Sequence, residues 1–587
     1  MADGPRRSSR SSRSRRSSRS SRSSRSSRSS RSRLRDAGAA FASNWRNPNL
    51  RRAQLSFLGA WTAEWAFTVA LGIVAYRDGG AAAVGLVGLL RMVPSAILAP
   101  LLSPIADRGR RERVLILVSI VRGAATAAAA VVVAVSGPSA VIYALAVLST
   151  IAATLYRPAH SALLPSLCRT GHELASANMV RGLLDSAATL VGPLVAAVLL
   201  QFTGVDVVFW VAAGASFVAA ALLVRLRYDA PPRPPAPSRP NLGKEAVEGV
   251  RVVVQSRDLT LILGLAAAQA LTRGALTVFS VVVAIELLGT GEPGVGALMT
   301  AVGVGAVLGS LFASLLVGSG RLGAWYAVGV GLWGLPLTLV ALVPQQSAAL
   351  GLLAFIGVGN ALIDLAGFTL IARMAPDEVL ARVFGVLESL VAVFIGIGAV
   401  VASSMIEWVG VQNALIVIGL VCPVLAVVSL RRLRGLDRSV DVLDADIGLL
   451  QEVPMFHPLP LPAVEQLARG LEPVTVAADQ VVFHQGDVGD RYYVIESGEA
   501  EVVGDGRVVA TLGPGEGFGE IALLRRTRRT ATVVARSELL LQALGSDRFL
   551  PVVLGYTPSA QQAAAVVDDR LERYEPKEPF EEPPSSV

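Results

Sequence analysis

Cysteines, aromatic residues and charged residues are all scarce in this sequence of 587 residues. Its two cysteines, Cys168 and Cys422, lie far apart in or beside apolar segments. We therefore interpret them as small buried hydrophobic side chains, not as a disulfide or a metal-binding pair. The four histidines are scattered without the spacing of metal ligands, and no catalytic constellation is assembled. We expect neither an enzyme nor a metal protein.

The low charge indicates a protein embedded in a membrane. Charged residues make up only 17% of the chain and hydrophobic residues 52%, whereas about 25% of a typical soluble domain is charged. The 56 glycines and the many alanines favour close helix packing in lipid. A net charge of +8 first suggests nucleic acid. The basic residues, however, are concentrated in the N-terminal tail and in loops, so we expect no specific nucleic-acid partner.

The first residues are almost entirely arginine and serine, a composition that cannot form a core. We expect residues 1–40 to be a disordered tail. The segment lacks the apolar core and cleavage site of a secretory signal. We interpret it as a basic cytoplasmic tail that touches anionic lipid; the alternative is a nucleic-acid-binding arm.

From about residue 53 to 431, apolar stretches of roughly 20 residues, the length that a bilayer core demands, alternate with short polar breaks. This pattern predicts an all-α polytopic bundle of twelve transmembrane helices in two six-helix halves, residues 50–225 and 259–435. A Pro-rich linker and an amphipathic helix at 226–258 join the halves, as is typical of a rocking-bundle transporter. The predicted spans are 53–75, 80–103, 113–135, 139–157, 176–200, 205–225, 259–287, 293–317, 323–344, 348–372, 379–404 and 411–431.

The polar breaks alternate in charge. One set is basic, as in DRGRRER at 107–113 and RRLRGLDR at 431–438, whereas the alternate set, including SGPS and PQQS, almost lacks lysine and arginine. Basic loops stay in the cytoplasm. We therefore expect a multi-pass protein of the inner cell membrane with both termini in the cytoplasm. This topology requires an even number of spans.

After about residue 440 the pattern changes to short alternating strands separated by Gly and Asp turns, as in RYYVIESGEAEVVGDGRVVATL. Such alternation predicts a small antiparallel β-barrel (jelly roll). Helices are expected to flank it near 445–471 and 545–572. The barrel domain is placed at 445–560, and residues 573–587 are expected to be a disordered tail.

The segment SPIADRGRRERVL at 103–115 resembles the loop signature of the major facilitator superfamily, Gly-x-Leu-Ala-Asp-Arg-x-Gly-Arg-Arg. Asp107, Arg108 and Arg111 match it, while Ser103 and Arg110 stand where the family has glycines. The resemblance implies a cytoplasmic gate in which the acid pairs with arginines and a helix N-terminus in one of two states.

Two further stretches, YRPAHSALLPSL at 156–167 and ELASANMVRGLLDSAATLVGP at 173–193, resemble the drug and siderophore exporters of that superfamily. Gly192-Pro193 falls where antiporter members place a Gly-Pro pair. The resemblance covers about 53–431 and implies export of a small amphipathic solute.

Ionisable residues at membrane depth are costly and are functional candidates by default. A carboxylate in a low-dielectric cavity has a raised pKa and can bind and release a proton. This suits Glu64 or Asp364 as a proton carrier, with Arg91 or Arg122 as a counter-charge. The alternative is an internal ion pair, or a side chain that snorkels to water. The candidates for proton or substrate coupling are Glu64, Arg91, Arg122, Asp185 and Asp364, with Arg273 and Glu388 beside them. Glu286, near a span end, receives no role.

The stretch GFGEIALLRRTRRTATV at 517–533 combines a glycine turn, an acid, a short helix start and arginines. Exposed backbone N–H groups near a helix N-terminus attract an anion. Arg529 can form a fork on phosphate oxygens, and Glu520 can accept from a sugar hydroxyl. Together these groups suit a ribose joined to a phosphate.

This stretch resembles the phosphate-binding cassette of cyclic-nucleotide-binding domains, Phe-Gly-Glu-Leu-Ala-Leu, a spacer and Pro-Arg-Ala-Ala-Thr-Val. GDVGDRYYVIESGEAEV at 486–502 and LLQEVPMFHPLP at 449–460 resemble its barrel strands and opening helix. The resemblance implies that Glu520 holds the ribose 2′-hydroxyl and Arg529 the cyclic phosphate. The site implied comprises Gly519, Glu520, Ile521, Ala522, Arg529 and Thr530, with Ile521 and Ala522 contributing backbone N–H groups.

Two positions depart from that pattern. Arg528 replaces the usual proline, which adds charge and is expected to loosen the turn. Thr530 adds a hydroxyl that can meet a guanine amino group, but bacterial cyclic-AMP sites carry one too. The regulatory ligand is thus cyclic AMP or cyclic GMP, with cyclic AMP placed first by its prevalence in the family.

The sequence therefore predicts a proton-coupled exporter regulated by a cyclic nucleotide, with membrane lipid, a small solute and the nucleotide as its partners. The linker after the last span is short enough to carry such regulation. One alternative is a non-transporting membrane receptor for the nucleotide, and another is a transporter whose barrel is only a docking module. An ion channel is less favoured, because twelve spans lack a filter-like loop.

Overall fold

The computed structural model describes residues 45–108, 110–168, 171–226, 242–316, 321–375 and 379–574. The chain divides into two compact units, with the boundary between Arg434 and Gly435. Nearly all of the predicted disordered tails and most of the Pro-rich linker lie outside the described residues.

Apolar helices build the first unit. Within the described residues, ten helices are long and apolar enough to cross a membrane, and the amphipathic helix predicted in the linker forms at Leu242–Gln255. The α-helices of this unit are Pro48–Arg108, Arg111–Ala134, Ser139–Ala153, Tyr156–Leu167, Gly171–Phe202, Val205–Val224, Leu242–Gln255, Arg257–Val282, Gly291–Leu316, Leu322–Leu342, Gln346–Met374 and Leu380–Glu452, the last of which continues past Arg434; a π-helix follows at Val283–Leu287.

Two of these helices contain a backbone break. Pro48–Arg108 has 61 residues, which at about 1.5 Å per residue is far longer than the ~30 Å of a bilayer core. Gly80 interrupts it with a φ of 61°, and Gly410 interrupts Leu380–Glu452 with a φ of 80°. Both values lie in the left-handed region that favours glycine. The breaks coincide with the polar stretches RDGG and VG in the sequence.

Glycines bring helices of this unit into backbone contact. A Cβ atom on Gly357 would lie 2.0 Å from the backbone oxygen of Val302, and one on Gly303 would lie 2.4 Å from Cα of Leu190. The first contact joins two helices of the second half, and the other joins the two halves. Small residues therefore set how closely the helices approach one another, as expected for a bundle in lipid.

The second unit contains two antiparallel four-stranded sheets, with strand orders β1-β8-β3-β6 and β2-β7-β4-β5. The strands are β1 Glu472–Val476, β2 Val481–Phe483, β3 Arg491–Ser497, β4 Ala500–Gly504, β5 Arg507–Leu512, β6 Gly517–Phe518, β7 Thr532–Ala535 and β8 Leu539–Gly545. Its shorter helices are the 3-10 helix Pro454–Phe456 and the α-helices Leu461–Ala468, Glu520–Arg525, Ser546–Gly555 and Thr557–Tyr574.

An aromatic cluster joins β3 to the helices of this unit. Tyr492 is fully buried, its ring stacks on Phe549 at 4.8 Å, and it meets Phe456 edge-on at 5.8 Å. The helix predicted near 445–471 is not continuous, because Pro454 and the prolines that follow it cannot extend a helix. The chain there turns and packs Phe456 under β3.

Candidate functional site

The stretch between β6 and β7 forms the backbone of the predicted nucleotide site. Gly519 follows β6 with a φ of 91°, in the left-handed region. The helix Glu520–Arg525 begins directly after it. A Cβ atom on Gly519 would lie 2.5 Å from Nη1 of Arg529, so the glycine leaves room for the guanidinium group.

Backbone oxygens hold the Arg529 side chain, of which 4% is exposed. Nη1 donates to the oxygen of Gly519 at 2.9 Å, and Nη2 donates to the oxygen of Arg491 at 2.8 Å. The guanidinium carbon lies 4.1 Å from the ring centroid of Phe483, a cation–π contact. Burial lowers the pKa of Arg529, yet a guanidinium stays charged in proteins. Its Nε has no hydrogen-bond partner among the described residues, which leaves one buried donor for a ligand.

The Glu520 carboxylate is buried beside this cation. Its Oε1 accepts from Nη1 of Arg570 at 2.7 Å, while Oε2 has no partner within the described part of the chain. Arg529 lies within electrostatic range of Glu520. Burial raises the pKa of the Tyr492 hydroxyl, and the nearby Glu520 charge adds to that shift. The unit therefore presents a free carboxylate oxygen and a free guanidinium donor close together.

Arg570 was not predicted as part of the site. It lies 50 residues after Glu520, on the helix Thr557–Tyr574, and no local motif marks it. A cavity of about 320 Å³ lies beside Arg570, which lines it with Tyr492, Gly517 and Val566 among others, whereas Glu520 does not line it. The flanking helix thus contacts the carboxylate directly.

The other predicted cassette residues lie on the same stretch. Ile521 and Ala522 are buried in the first turn of the short helix, and Thr530 is exposed two residues before β7. The expected loosening at Arg528 is not observed, because its Nη1 donates to the oxygen of Gly486 at 2.8 Å. The backbone nitrogen of Gly486 also donates to the oxygen of Arg529 at 2.8 Å.

Three predicted residues of the bundle form one cluster, which we call the first-half triad: Glu64, Arg91 and Arg122. Arg91 Nη2 lies 2.8 Å from Oε1 of Glu64, and Arg122 Nη2 lies 2.5 Å from Oε2. Arg91 also donates to Oγ1 of Thr150 at 2.9 Å. Only 5% of Arg91 and 3% of Arg122 are exposed. Two buried cations thus share one carboxylate.

Asp185 and Asp364 belong to a second group, which we call the inter-half cluster: Arg157, Arg181, Asp185, Arg273, Asp364 and Glu388. Arg157 Nη2 lies 3.0 Å from Oδ1 of Asp185. Arg273 and Asp364 of the second half lie within electrostatic range of Arg157 and Asp185 of the first half, and of Glu388. Helices of both halves therefore contribute to it.

Arg157 and Arg181 were missed at the sequence level. The spacing of Arg181 and Asp185, four residues apart on one predicted span, was an available signal because such residues share a helix face. Arg181 lies within electrostatic range of Arg157 and Asp185, and its Nη1 donates to Oγ of Ser161 at 3.1 Å.

The predicted cytoplasmic gate is only partly described. Arg111 donates to the oxygen of Ala162, and to Oγ of Ser166 at 3.2 Å, so it ties its helix to Tyr156–Leu167. The side chains of Asp107 and Arg108 lie outside the described residues, and their pairing stays a prediction.

Two contacts join the halves beside the break at Gly80. The Tyr76 hydroxyl donates to Oε1 of Glu286 at 2.5 Å, and Arg77 Nε donates to Oε1 of Glu292 at 2.6 Å. Glu286, which received no role from the sequence, lies in the π-helix Val283–Leu287. Such π-turns frequently occur at functional sites.

Comparison with known families agrees with the division of the chain into a unit of apolar helices and a unit with two β-sheets. Residues 55–291 and 263–445 match the Major Facilitator Superfamily, and together they cover more than half of the chain. Residues 473–556 match the cyclic nucleotide-binding domain.

Two curated relatives match the C-terminal region, and both are cAMP-dependent protein kinase regulatory subunits. The protein of Schizosaccharomyces pombe is 43% identical over 103 residues, which are 17% of this chain and 25% of the relative. That of Yarrowia lipolytica is 43% identical over 104 residues, 17% of this chain and 28% of the relative. The chain thus spans about a quarter of the length of these relatives.

Solved structures match the same region. The N-terminal domain of a transcriptional regulator from Streptomyces coelicolor A3(2) is 33% identical, with 22% of this chain and 94% of that chain covered and a TM-score of 0.19. The Thermus thermophilus Catabolite Activator Protein is 31% identical, with 21% and 59% covered and a TM-score of 0.19.

Proposed function

We propose that this chain, which belongs to the Major Facilitator Superfamily and carries a cyclic nucleotide-binding domain, is a proton-coupled exporter of a small amphipathic solute controlled by a cyclic nucleotide. The observation that carries the regulatory part is the pair of unfilled groups in the second unit, Arg529 Nε and Glu520 Oε2. Assignment to the drug and siderophore exporter branch rests on the resemblance of residues 156–193 alone.

The topology proposed for the bundle has twelve spans. The breaks at Gly80 and Gly410 divide each of the two longest helices into two segments, and each segment is long enough to cross a bilayer core of ~30 Å. Ten candidate helices then become twelve spans. With the basic breaks inside, both termini and the barrel lie in the cytoplasm of an inner membrane. The domain limits given above are part of this proposal.

In the nucleotide site, Arg529 binds the cyclic phosphate and Glu520 accepts from the ribose 2′-hydroxyl. Each interaction fills a buried group that otherwise lacks a partner, and such groups are costly to leave unpaired. We propose cyclic AMP as the ligand, because the curated relatives at 43% identity are named as cAMP-dependent. Gly519, Ile521 and Ala522 shape the phosphate cradle, and Thr530 lies exposed at its edge.

For proton coupling we favour Asp364 over Glu64. Two arginines hold Glu64 at 2.8 and 2.5 Å, so both oxygens of its carboxylate are already paired. Asp364 accepts from Nδ2 of Asn360 at 2.9 Å and, among the described residues, has no ion-pair partner within 4 Å. The charged groups facing it are Arg273, Asp185, Arg157 and Glu388. Among the described residues, Asp364 is thus the carboxylate that no arginine holds in an ion pair, which favours it as the proton carrier.

Proteoliposomes with a pH-sensitive dye inside test the coupling. Addition of a transported solute should move protons with the wild type and with Asp206→Asn, a matched change at a helix start. Asp364→Asn should abolish the proton signal. An unchanged signal in that variant would reject Asp364 as the carrier.

Regulation is tested in the same vesicles with cyclic AMP on the side of the barrel. Flux should change with cyclic AMP in the wild type and not in Arg529→Ala, because a ligand shifts the transport equilibrium only if it binds one state better. Equal rates in all conditions would reject regulation and leave the docking-module alternative. Nucleotide binding without any flux would favour the receptor.

A further inference from the structure

The inter-half cluster is divided by charge between the two halves. Beyond the paired Arg157 and Asp185, the first half contributes Arg181, while the second contributes Arg273 with the acids Asp364 and Glu388. Positive charge thus dominates on the first half and negative charge on the second. The space between the halves is bordered by both signs.

Two of these charges, Asp364 and Asp185, lie near the middle of their spans. Asp364 is ten residues from Met374, the end of its helix, and at ~1.5 Å per residue this is ~15 Å, about half of a bilayer core. Asp185 is nine residues after Ser176, where its apolar span starts, which gives a similar depth of ~14 Å. Water at the membrane surface therefore does not solvate them by proximity alone.

The same side chains are accessible from an internal space. Asp364 and Glu388 are exposed, and 50% of the Arg157 side chain and 36% of that of Asp185 are exposed. Lipid-facing charges at this depth are costly and rare. Because Arg273 and Asp364 interact electrostatically with Arg157 and Asp185 across the two halves, the exposed faces border the space between the halves.

Four of the six charges have no ion-pair partner. Within the described residues, Arg181, Arg273, Asp364 and Glu388 form no ion pair at 4 Å or less, and the Nε of Arg181 is a buried donor without an acceptor. Arg181, Arg273 and Asp364 each lie within electrostatic range of Arg157 and Asp185, and Glu388 lies within range of Arg273 and Asp364. Unpaired charges at membrane depth are costly unless water or a bound molecule completes them.

We infer that the transported solute is a zwitterion, whose acidic group binds at Arg181 and Arg273 and whose cationic group binds at Asp364 and Glu388. This inference rests on the proposed transport function and names its substrate class. A solute with one charge satisfies only half of the cluster and leaves the other charges unpaired at membrane depth. The amphipathic remainder of the solute contacts the apolar helices around the cluster.

Three compounds that share one skeleton test the charge requirement: phenylalanine, phenylalaninamide and N-acetylphenylalanine. At about pH 6, where the α-amine of phenylalaninamide is protonated, they carry both charges, only the positive charge, and only the negative charge. Thermal stabilisation of the full-length protein in lipid nanodiscs reports their binding. The zwitterion should bind the wild type at least tenfold more tightly than either relative.

Two double variants sharpen the test, because a purely structural role does not switch ligand preference. Asp364→Asn with Glu388→Gln should favour N-acetylphenylalanine, and Arg181→Gln with Arg273→Gln should favour phenylalaninamide. Asp206→Asn and Arg113→Gln are matched controls and should keep the wild-type order. If a double variant does not fold, the single changes Asp364→Asn and Arg181→Gln should move the preference in the same directions.

Equal binding of the three compounds, preference of the wild type for a singly charged one, or no binding of any would overturn the inference. Uptake into proteoliposomes separates this result from the proposed function. Saturable uptake of a singly charged solute would keep the transport proposal and reject the zwitterion. Binding of the zwitterion without uptake would reject transport and keep the binding site.

Discussion

The two units hold their functional charges in opposite ways. In the second unit, two backbone oxygens and an aromatic ring fix Arg529, and Arg570 fixes Glu520. In the inter-half cluster of the first unit, Asp364 and Glu388 lack any ion-pair partner among the described residues. One site is preformed, and the other is left incomplete.

The difference follows from what each region is proposed to do. A sensor gains affinity when its groups are already oriented, because little ordering is needed on binding. A transporter alternates between states, so charges between its halves must change partners. The first-half triad lies between these cases: it is within the bundle, yet two arginines lock its carboxylate. We assign it a structural role in the first half.

The largest effect that tests this comparison is expected at Glu64. Glu64→Gln leaves Arg91 and Arg122 buried without a counter-charge, and the loss of one partner of a buried ion pair typically costs ~3–5 kcal/mol. Arg91→Gln leaves a neutral pair of Glu64 and Arg122 and should cost clearly less. Thermal unfolding of both variants in the same nanodiscs measures the asymmetry. Equal destabilisation would remove the distinction between a locked triad and an open cluster.

A smaller effect is expected at Glu520. Glu520→Gln removes the charge that accepts from the ribose hydroxyl and also the ion pair to Arg570. A hydrogen bond to a charged group contributes ~1.5–3 kcal/mol, so affinity for cyclic AMP should fall at least tenfold. Glu501→Gln, on β4 and paired with Arg536 at 3.4 Å, is the control and should leave affinity unchanged. Unaltered binding by the Glu520 variant would show that its pocket is not the ribose site.

Helix packing in the bundle gives the next effect. Gly357→Ala places a Cβ atom 2.0 Å from the oxygen of Val302, whereas a Cβ on Gly351 of the same helix meets nothing within 4 Å. Overpacking of this kind costs ~1–3 kcal/mol. The Gly357 variant should therefore unfold at a lower temperature than the Gly351→Ala variant. Identical unfolding temperatures of the two variants would mean that the helices carrying Gly357 and Val302 can move apart without cost.

The smallest effect is expected at the contacts between the halves beside the Gly80 break. Arg77→Gln breaks the exposed pair with Glu292, and such pairs contribute at most about 1 kcal/mol. Thermal stability should hardly change. The transport rate should rise or fall instead, because the pair joins the two halves. The exchange of the two residues, Arg77→Glu with Glu292→Arg, should restore the transport rate. A transport rate that neither the single nor the double change affects would refute a role of this pair in transport.

Predictability from sequence differed between the sites for a physical reason. Glu520, Arg529 and their glycines lie within one short stretch, so a local pattern identifies them together. The helices of the bundle follow from the length of apolar runs, which the bilayer sets. The glycine content predicts that helices pack closely, but it does not predict which glycines make the contacts.

Local sequence patterns cannot identify residues that are distant in the chain but in contact in the fold. Arg570 meets Glu520 only because a helix 50 residues later folds back on the barrel. The inter-half cluster joins spans far apart in the chain, so its members were predicted singly and Arg157 and Arg181 were missed. Glu286 received no role because it lies near a span end. The π-helix that carries it has no clear signal in the sequence. The helices expected near 445–471 form as separate pieces, because Pro454 and the prolines after it interrupt them.

The proposal that the second unit binds a cyclic nucleotide is tested most directly by calorimetric titration of the full-length protein with cyclic AMP and cyclic GMP. Saturable binding of cyclic AMP is expected for the wild type and for Arg528→Ala, because the Arg528 side chain holds the neighbouring turn through the oxygen of Gly486. Arg529→Ala should bind on the order of 100-fold more weakly, the equivalent of about 3 kcal/mol for a charged hydrogen-bonding group. Equal affinity of the Arg529 variant and the wild type, or no binding of either nucleotide to the wild type, would contradict the proposal.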